Sequence, residues 1–201
     1  NDWIGAQIRA DVYGWVCPGN PDLAARLVTE DAQLSHRDEG IYGAVLVAVW
    51  GALIPVCDNL EDALDRSLSY IPADSDCAAA VKLARGLVGQ ADGGISIRKH
   101  YPDMSVVHTV NNLALVVWAL LSHPDDFSAA IGDVVAAGLD TDCNGATCGS
   151  IVGAASGVKG LNSSLVAPLN DTIKPKVFGF EEIAMQELAD RTLKVHNKIA
   201  G

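Results

Sequence analysis

Residues 138–157 read GLDTDCNGATCGSIVGAASG and bring two carboxylates, Asp140 and Asp142, to either side of Thr141. Carboxylates at this spacing on a non-helical turn can converge on one point, as a hard cation such as Mg2+ or Mn2+ requires of its oxygen ligands. Aspartate is also favoured at a helix N-terminus, where it caps free amides and meets the positive end of the macrodipole. Spacing alone leaves both readings open. A second group lies in SHRDEGIYGA, residues 35–44: Ser35, His36, Glu39 and Tyr42, with Gly40 and Gly43 permitting close approach of a ligand. An ordinary turn between helices would read the same way. Arg9 and Asp11 suggest a surface ion pair. His108, Asn111 and Asn112 lie on an otherwise apolar stretch and suggest hydrogen-bonded groups lining an interior or a cleft. No nucleophile elbow, phosphate-binding glycine loop or HExxH motif is found.

The elements that would position these residues read as helices. Asn20-Pro21 is a cap followed by proline at the first helical position. Asn59 caps a helix with Asp62 where a capping-box acid belongs, and Asp74 or Ser75 starts another. Residues 107–121 and 40–54 form strongly apolar helices, stopped by Pro124 and Pro55. Residues 125–138 form an amphipathic helix closed by glycine, and 181–199 a charged terminal helix. Trp3, Ile4 and Ile8 suggest one face of a helix at the start, while residues 90–105 read as loop. In the segment after Asp140, Gly145, Gly149, Gly153 and Gly157 recur every fourth position. Such a stripe makes a flat groove against which another helix backbone can press.

Composition narrows the partners. A net charge of −11 over 201 residues argues against a protein that coats duplex nucleic acid. It also means that a phosphate-bearing ligand needs a metal ion or a local cationic pocket. Five cysteines without CxxC or Cys/His zinc spacing read as reduced thiols in a cytoplasmic protein. Residues 40–57 carry no charge and approach the length of a membrane span, but Gly43, Gly51, Pro55 and the missing basic flanks favour a buried core helix over a membrane.

Three segments then add up to a resemblance. IRADVYGWVCPGNPDLAARLVTEDAQLSHRDEGIYGA, HTVNNLALVVWALL and GLDTDCNGATCGSIVGAASG occur in the order and rough spacing of the ADP-ribosylglycohydrolase family. The chain resembles its dinitrogenase-reductase-activating glycohydrolase type. The most specific piece is DTD before a small-residue helix, which the family reads as Asp-Thr-Asp-Thr. The resemblance implies an all-α fold, a compact multi-helix orthogonal bundle, with two Mg2+ or Mn2+ ions at the bottom of a cleft. It implies cleavage between the anomeric carbon of ADP-ribose and an acceptor such as an arginine or serine side chain.

Carried over by motif, Asp140 and Asp142 become metal ligands. The next position, a ligating threonine in many relatives, is Cys143, and a thiol is a poor partner for a hard cation. That contact is left open between Cys143, a water and Asn144. Ser35, His36, Gly40, Tyr42 and Gly43 match the family's segment near the ADP-ribose cleft. The Gly-Asp-Ala and Thr-Asp-Asp-Thr motifs of the family's N-terminal half are not found in residues 1–201. The resemblance therefore points to the C-terminal part of a single domain, holding half a metal site. The acid–base carboxylate is expected in the absent segment or on a second chain, with Glu39 as the alternative here. Expected partners are an ADP-ribose-type ligand or an ADP-ribosylated protein. The rival readings are a non-catalytic binding or structural relative and a hydrolase of a free ribosyl metabolite.

Overall fold

Two stretches of this chain are apolar on every side and so must lie inside. They are α3 (Asp38–Leu53) and α7 (Thr109–Ser122), which touch each other at the centre of the computed structural model. The structure describes residues 2–199. Around α3 pack α1 (Asp11–Val16), α2 (Pro21–Ala32) and α4 (Leu60–Ser67). Around α7 pack α5 (Asp76–Arg85), α6 (Gly93–His100), α8 (Phe127–Ala136) and α9 (Thr141–Gly160). The short α10 (Ser163–Val166) and the terminal α11 (Met185–Ile199) complete the helices. Between them β1 (Thr172–Ile173) pairs antiparallel with β2 (Ile183–Ala184), so the fold is all-α with one minimal two-stranded sheet among the described residues.

The capping signals hold locally. Asn20 and Asn59 accept amide bonds from Leu23 and Asp62, and Ser75 caps α5 by accepting from Ala78. Asp62 reaches back to the Asp58 amide rather than to that of Asn59. The span Asp38–Val56, α3 with the turn that follows it, is long and apolar enough to cross a membrane, but much of it is enclosed by its neighbours: Leu46 to Trp50 are all fully buried, and the Trp50 indole donates to Leu60 O at 2.9 Å.

Three expectations are corrected. Trp3 bridges antiparallel to His108 and residues 4–9 form turns, not a helix, because the backbone is used elsewhere: Ile4 N donates to Val107 O and Thr109 N to Asp2 O. The loop expected at residues 90–105 contains α6, whose Gly93 and Gly94 let it press on the Trp118 ring and Ala137. The glycine stripe meets side chains, not a helix backbone. Cβ atoms added at Gly145, Gly149 and Gly153 would lie 3.1, 3.3 and 3.6 Å from Val135, Ile131 and Phe127. Those partners step back along α8 by four as the glycines advance by four, so the two helices run antiparallel. The fourth glycine, Gly157, has φ +63° and ψ 178° and kinks α9.

Backbone-to-backbone approach occurs at a site the stripe did not indicate. A Cβ at Gly14 of α1 would lie 2.6 Å from Ala48 O and 3.0 Å from Ala52 N of α3. Neither atom belongs to a flexible side chain, so α1 would have to move. Gly14→Ala is expected to cost about 1–3 kcal/mol by overpacking, read as a lower urea midpoint with an unchanged denaturant slope.

Candidate metal centre

The head of α9 is built by a tight reversal. Gly138 and Leu139 both adopt positive φ, +84° and +62°, and turn the chain from α8 into α9. For leucine that conformation is strained, and bonds on either side hold it. Asp140 N donates to Asn112 Oδ1 at 3.1 Å, and Arg98 donates to Ala137 O at 3.3 Å. Asn112, fully buried in α7, is the anchor. Its Nδ2 lies within hydrogen-bond distance of Val106 O and His108 O, and its Oδ1 also accepts from Asn144 Nδ2 at 2.7 Å. The buried Asn111 and Asn112, with half-buried His108 at the cap of α7, thus form a hydrogen-bonded interior that supports the turn.

At this turn ligand atoms of Asp140, Asp142 and Cys143 lie within 4.8 Å of one another. Asp140 occupies the N-cap position, yet its side chain makes no capping bond. The capping explanation therefore fails for Asp140, and its carboxylate is free to face the other two donors. The Cys143 thiol is pushed up to about 12 by burial, by its hydrogen bond to Asp140 and by the two carboxylate charges. Two carboxylates suit a divalent cation. A thiol does not suit a hard one such as Mg2+. Asn144, the oxygen donor beside it, is fully buried and tied through Nδ2 to Asn112, while its Oδ1 has no protein partner.

A groove of about 490 Å³ adjoins the turn, lined by Arg98, Lys99, Tyr101, Met104, Val106 and Leu139 among others. It was not singled out from sequence, although the run Arg98-Lys99-His100-Tyr101 is a local cationic and aromatic cluster in an acidic chain.

The remaining candidates fall elsewhere. Ser35 and His36 meet the N-terminal turn: the Ser35 hydroxyl and His36 Nδ1 are 2.8 Å apart, and Arg9 Nη2 donates to Ser35 Oγ. Arg9 pairs with Asp31 at 2.6 Å, not with Asp11. Asp11 is shifted upward by burial, partly offset by the hydrogen bond it accepts from the Val12 amide. Glu39 is engaged structurally, because its carboxylate accepts the amides of Asp76 and Cys77 at the start of α5. The space beside Gly43 is filled: a Cβ there would meet Thr109 Oγ1 at 2.7 Å and Gln7 Oε1 at 2.9 Å, so this glycine admits a buried Thr109–Gln7 bond rather than a ligand. Tyr42 packs against the core from the same helix, and Gly40 is buried. Nearby, the Trp3 ring meets that of His108 edge-on at 6.0 Å.

Burial, reinforced by the Arg9 charge, lowers the His36 pKa below its ordinary value near 6.5. Between these two values the unfolded chain binds more protons than the folded one. The His36 contribution is thus fully present above about pH 6.5 and is lost as pH falls toward the depressed folded value. His36→Gln should flatten this part of the stability profile, measured as the difference in urea midpoint from wild type between pH 7.5 and 5.

A family model described as ADP-ribosylglycohydrolase matches residues 1–199. The chain belongs to the ADP-ribosylglycohydrolase family. Searches of curated proteins and of solved structures gave no match. The helical architecture agrees with the family's all-α fold, and membership makes the chain a relative of hydrolases. Because the match takes in nearly the whole chain, the expectation that only a C-terminal portion is represented finds no support in it. The same holds for the second chain which that expectation required.

Proposed function

We propose that the chain is a metal-dependent hydrolase that cleaves the glycosidic bond of ADP-ribose, or a related ribosyl group, from a protein side chain or small acceptor. The observation carrying this reading is the convergence of three donor side chains within 4.8 Å at the strained head of α9, in a member of this family. Asp140 and Asp142 would hold a divalent cation. Such an ion supplies Lewis-acid polarisation and orients water and a ribose diol. Cleavage passes through an oxocarbenium-like state, for which fixed carboxylates beside the reacting ring are the appropriate electrostatics. The cluster accounts for one ion; the pair implied by the resemblance would need donors outside it.

Arg98 and Lys99 bring positive charge to the adjoining groove and offset the net −11 for a diphosphate, while Tyr101 offers an aromatic face. All five thiols are unpaired, which supports a reducing, cytoplasmic compartment. Cys143 stands where many relatives carry a ligating threonine, and a failure to bind any cation there would leave the rival reading, a non-catalytic relative retained for binding.

Thermal unfolding separates ligand binding from its absence. ADP-ribose at about 100 times its Kd, with a divalent cation, stabilises by about 2.7 kcal/mol, which is roughly 5–10 °C for a domain of this size. The shift should vanish with chelator and in Asp142→Asn. A shift of the same size under chelator would remove the cation from the account.

A further inference from the structure

We infer that Cys143 Sγ is the third donor of the cluster and turns its cation preference away from Mg2+ toward a thiolate-accepting ion of the Zn2+, Co2+ or Cd2+ kind. The inference rests on the reading of Asp140 and Asp142 as ligands. Three features of the head of α9 carry it.

The sulfur lies in the same 4.8 Å group as the two carboxylate oxygens. Donors to one small ion stand about 3–4 Å apart, given metal–ligand bonds of about 2.0–2.3 Å, so rotations of exposed Asp142 and half-buried Asp140 can close the group around the buried thiol. Asn144, at the same corner, is fully buried and fixed by its Nδ2 bond to Asn112 at 2.7 Å. Its Oδ1, buried without a protein partner one turn into the helix from Asp140, is a second sign that this helix head is built around a group beyond the protein.

The chemistry follows from the donor set. Thiolate is a soft ligand that favours Zn2+ and comparable ions, whereas Mg2+ demands near-octahedral oxygen and holds its waters. Two carboxylates and one thiolate leave a coordination position open, as catalytic zinc sites do with their three protein ligands. On binding, the S–H bond breaks, a metal–sulfur bond forms and the proton passes to solvent. No electrons change hands.

The test is a titration of the full, reduced chain with Co2+ and with Cd2+, followed by the sulfur-to-metal charge-transfer absorption in the ultraviolet and by competition with Mg2+. Wild type is compared with Cys143→Ser, Cys143→Thr and Asp142→Asn, each checked for helical circular dichroism. The expected result is a charge-transfer band in wild type that is absent in Cys143→Ser. Cd2+ affinity should fall on the order of 10–100-fold in that variant, a loss typical of perturbed metal shells, while Mg2+ affinity holds or rises in Cys143→Thr. Cation binding that depends on Asp142 but shows no sulfur band, or a band that survives in Cys143→Ser, overturns the role of Cys143 and leaves the carboxylate site standing. No cation binding dependent on Asp142 overturns the site itself, and the inference with it.

Discussion

Asp142→Asn should reduce ADP-ribosyl hydrolysis on the order of 10³-fold or more. Lewis-acid stabilisation by a bound cation is worth several kcal/mol, and each 1.4 kcal/mol is about a factor of ten in rate. Asp140→Asn should do the same, because the two carboxylates act on one ion and their effects will not add in the double variant. The metal-free fold should hardly notice. Asp142 is exposed in the first turn of α9, so its loss costs favourable helix-end electrostatics but relieves repulsion from Asp140. The net change in unfolding free energy should stay under about 1 kcal/mol. Initial rates of ADP-ribose release together with urea midpoints distinguish this outcome from a general loss of structure. An activity loss matched by a large loss of stability would assign Asp142 a structural role instead.

Asn112→Leu should produce the opposite pattern, a large loss of stability with a secondary loss of cation binding. The substitution keeps approximate volume but strands Val106 O, His108 O, Asp140 N–H and Asn144 Nδ2, all of which bond to the amide in the native state. Unsatisfied buried groups cost about 1–3 kcal/mol each, and partial relaxation should bring the total to roughly 3–5 kcal/mol. Cation affinity should fall about 10–100-fold, the usual scale for groups that orient metal ligands. Urea unfolding and the Co2+ titration measure the two quantities on one preparation.

These two residues also show what could be read from the chain. The convergence of Asp140 and Asp142 on one turn was legible because the motif is local: the carboxylates, the turn and the helix that follows occupy consecutive residues. Asn112 was legible as a buried, bonded amide, but its role as the anchor of Asp140 N was not, since that bond spans 28 residues. Helix caps at Asn20, Asn59 and Ser75 were readable for the same local reason. Long-range backbone use defeated local reading at residues 3–9, where apparent helical spacing gave way to pairing with residues 107–109. Glycine spacing misled differently. The stripe on α9 looked like a backbone contact and accommodates side chains of α8, whereas the isolated Gly14 makes the close approach. Glu39 and Gly43 carried the right chemistry for a site, but tertiary packing assigns them to the start of α5 and to the Thr109–Gln7 bond.

Cation-dependent hydrolysis at the head of α9 is measured as free ADP-ribose released from ADP-ribosylated protein and from a small ADP-ribosylated acceptor, with Mg2+, Mn2+, Co2+ or Zn2+ and with chelator. Release should require a divalent cation and should disappear in Asp140→Asn while the variant stays folded. Undiminished release in Asp140→Asn, or no release from wild type with any cation despite binding at the cluster, would contradict the hydrolase reading and leave the non-catalytic reading in its place.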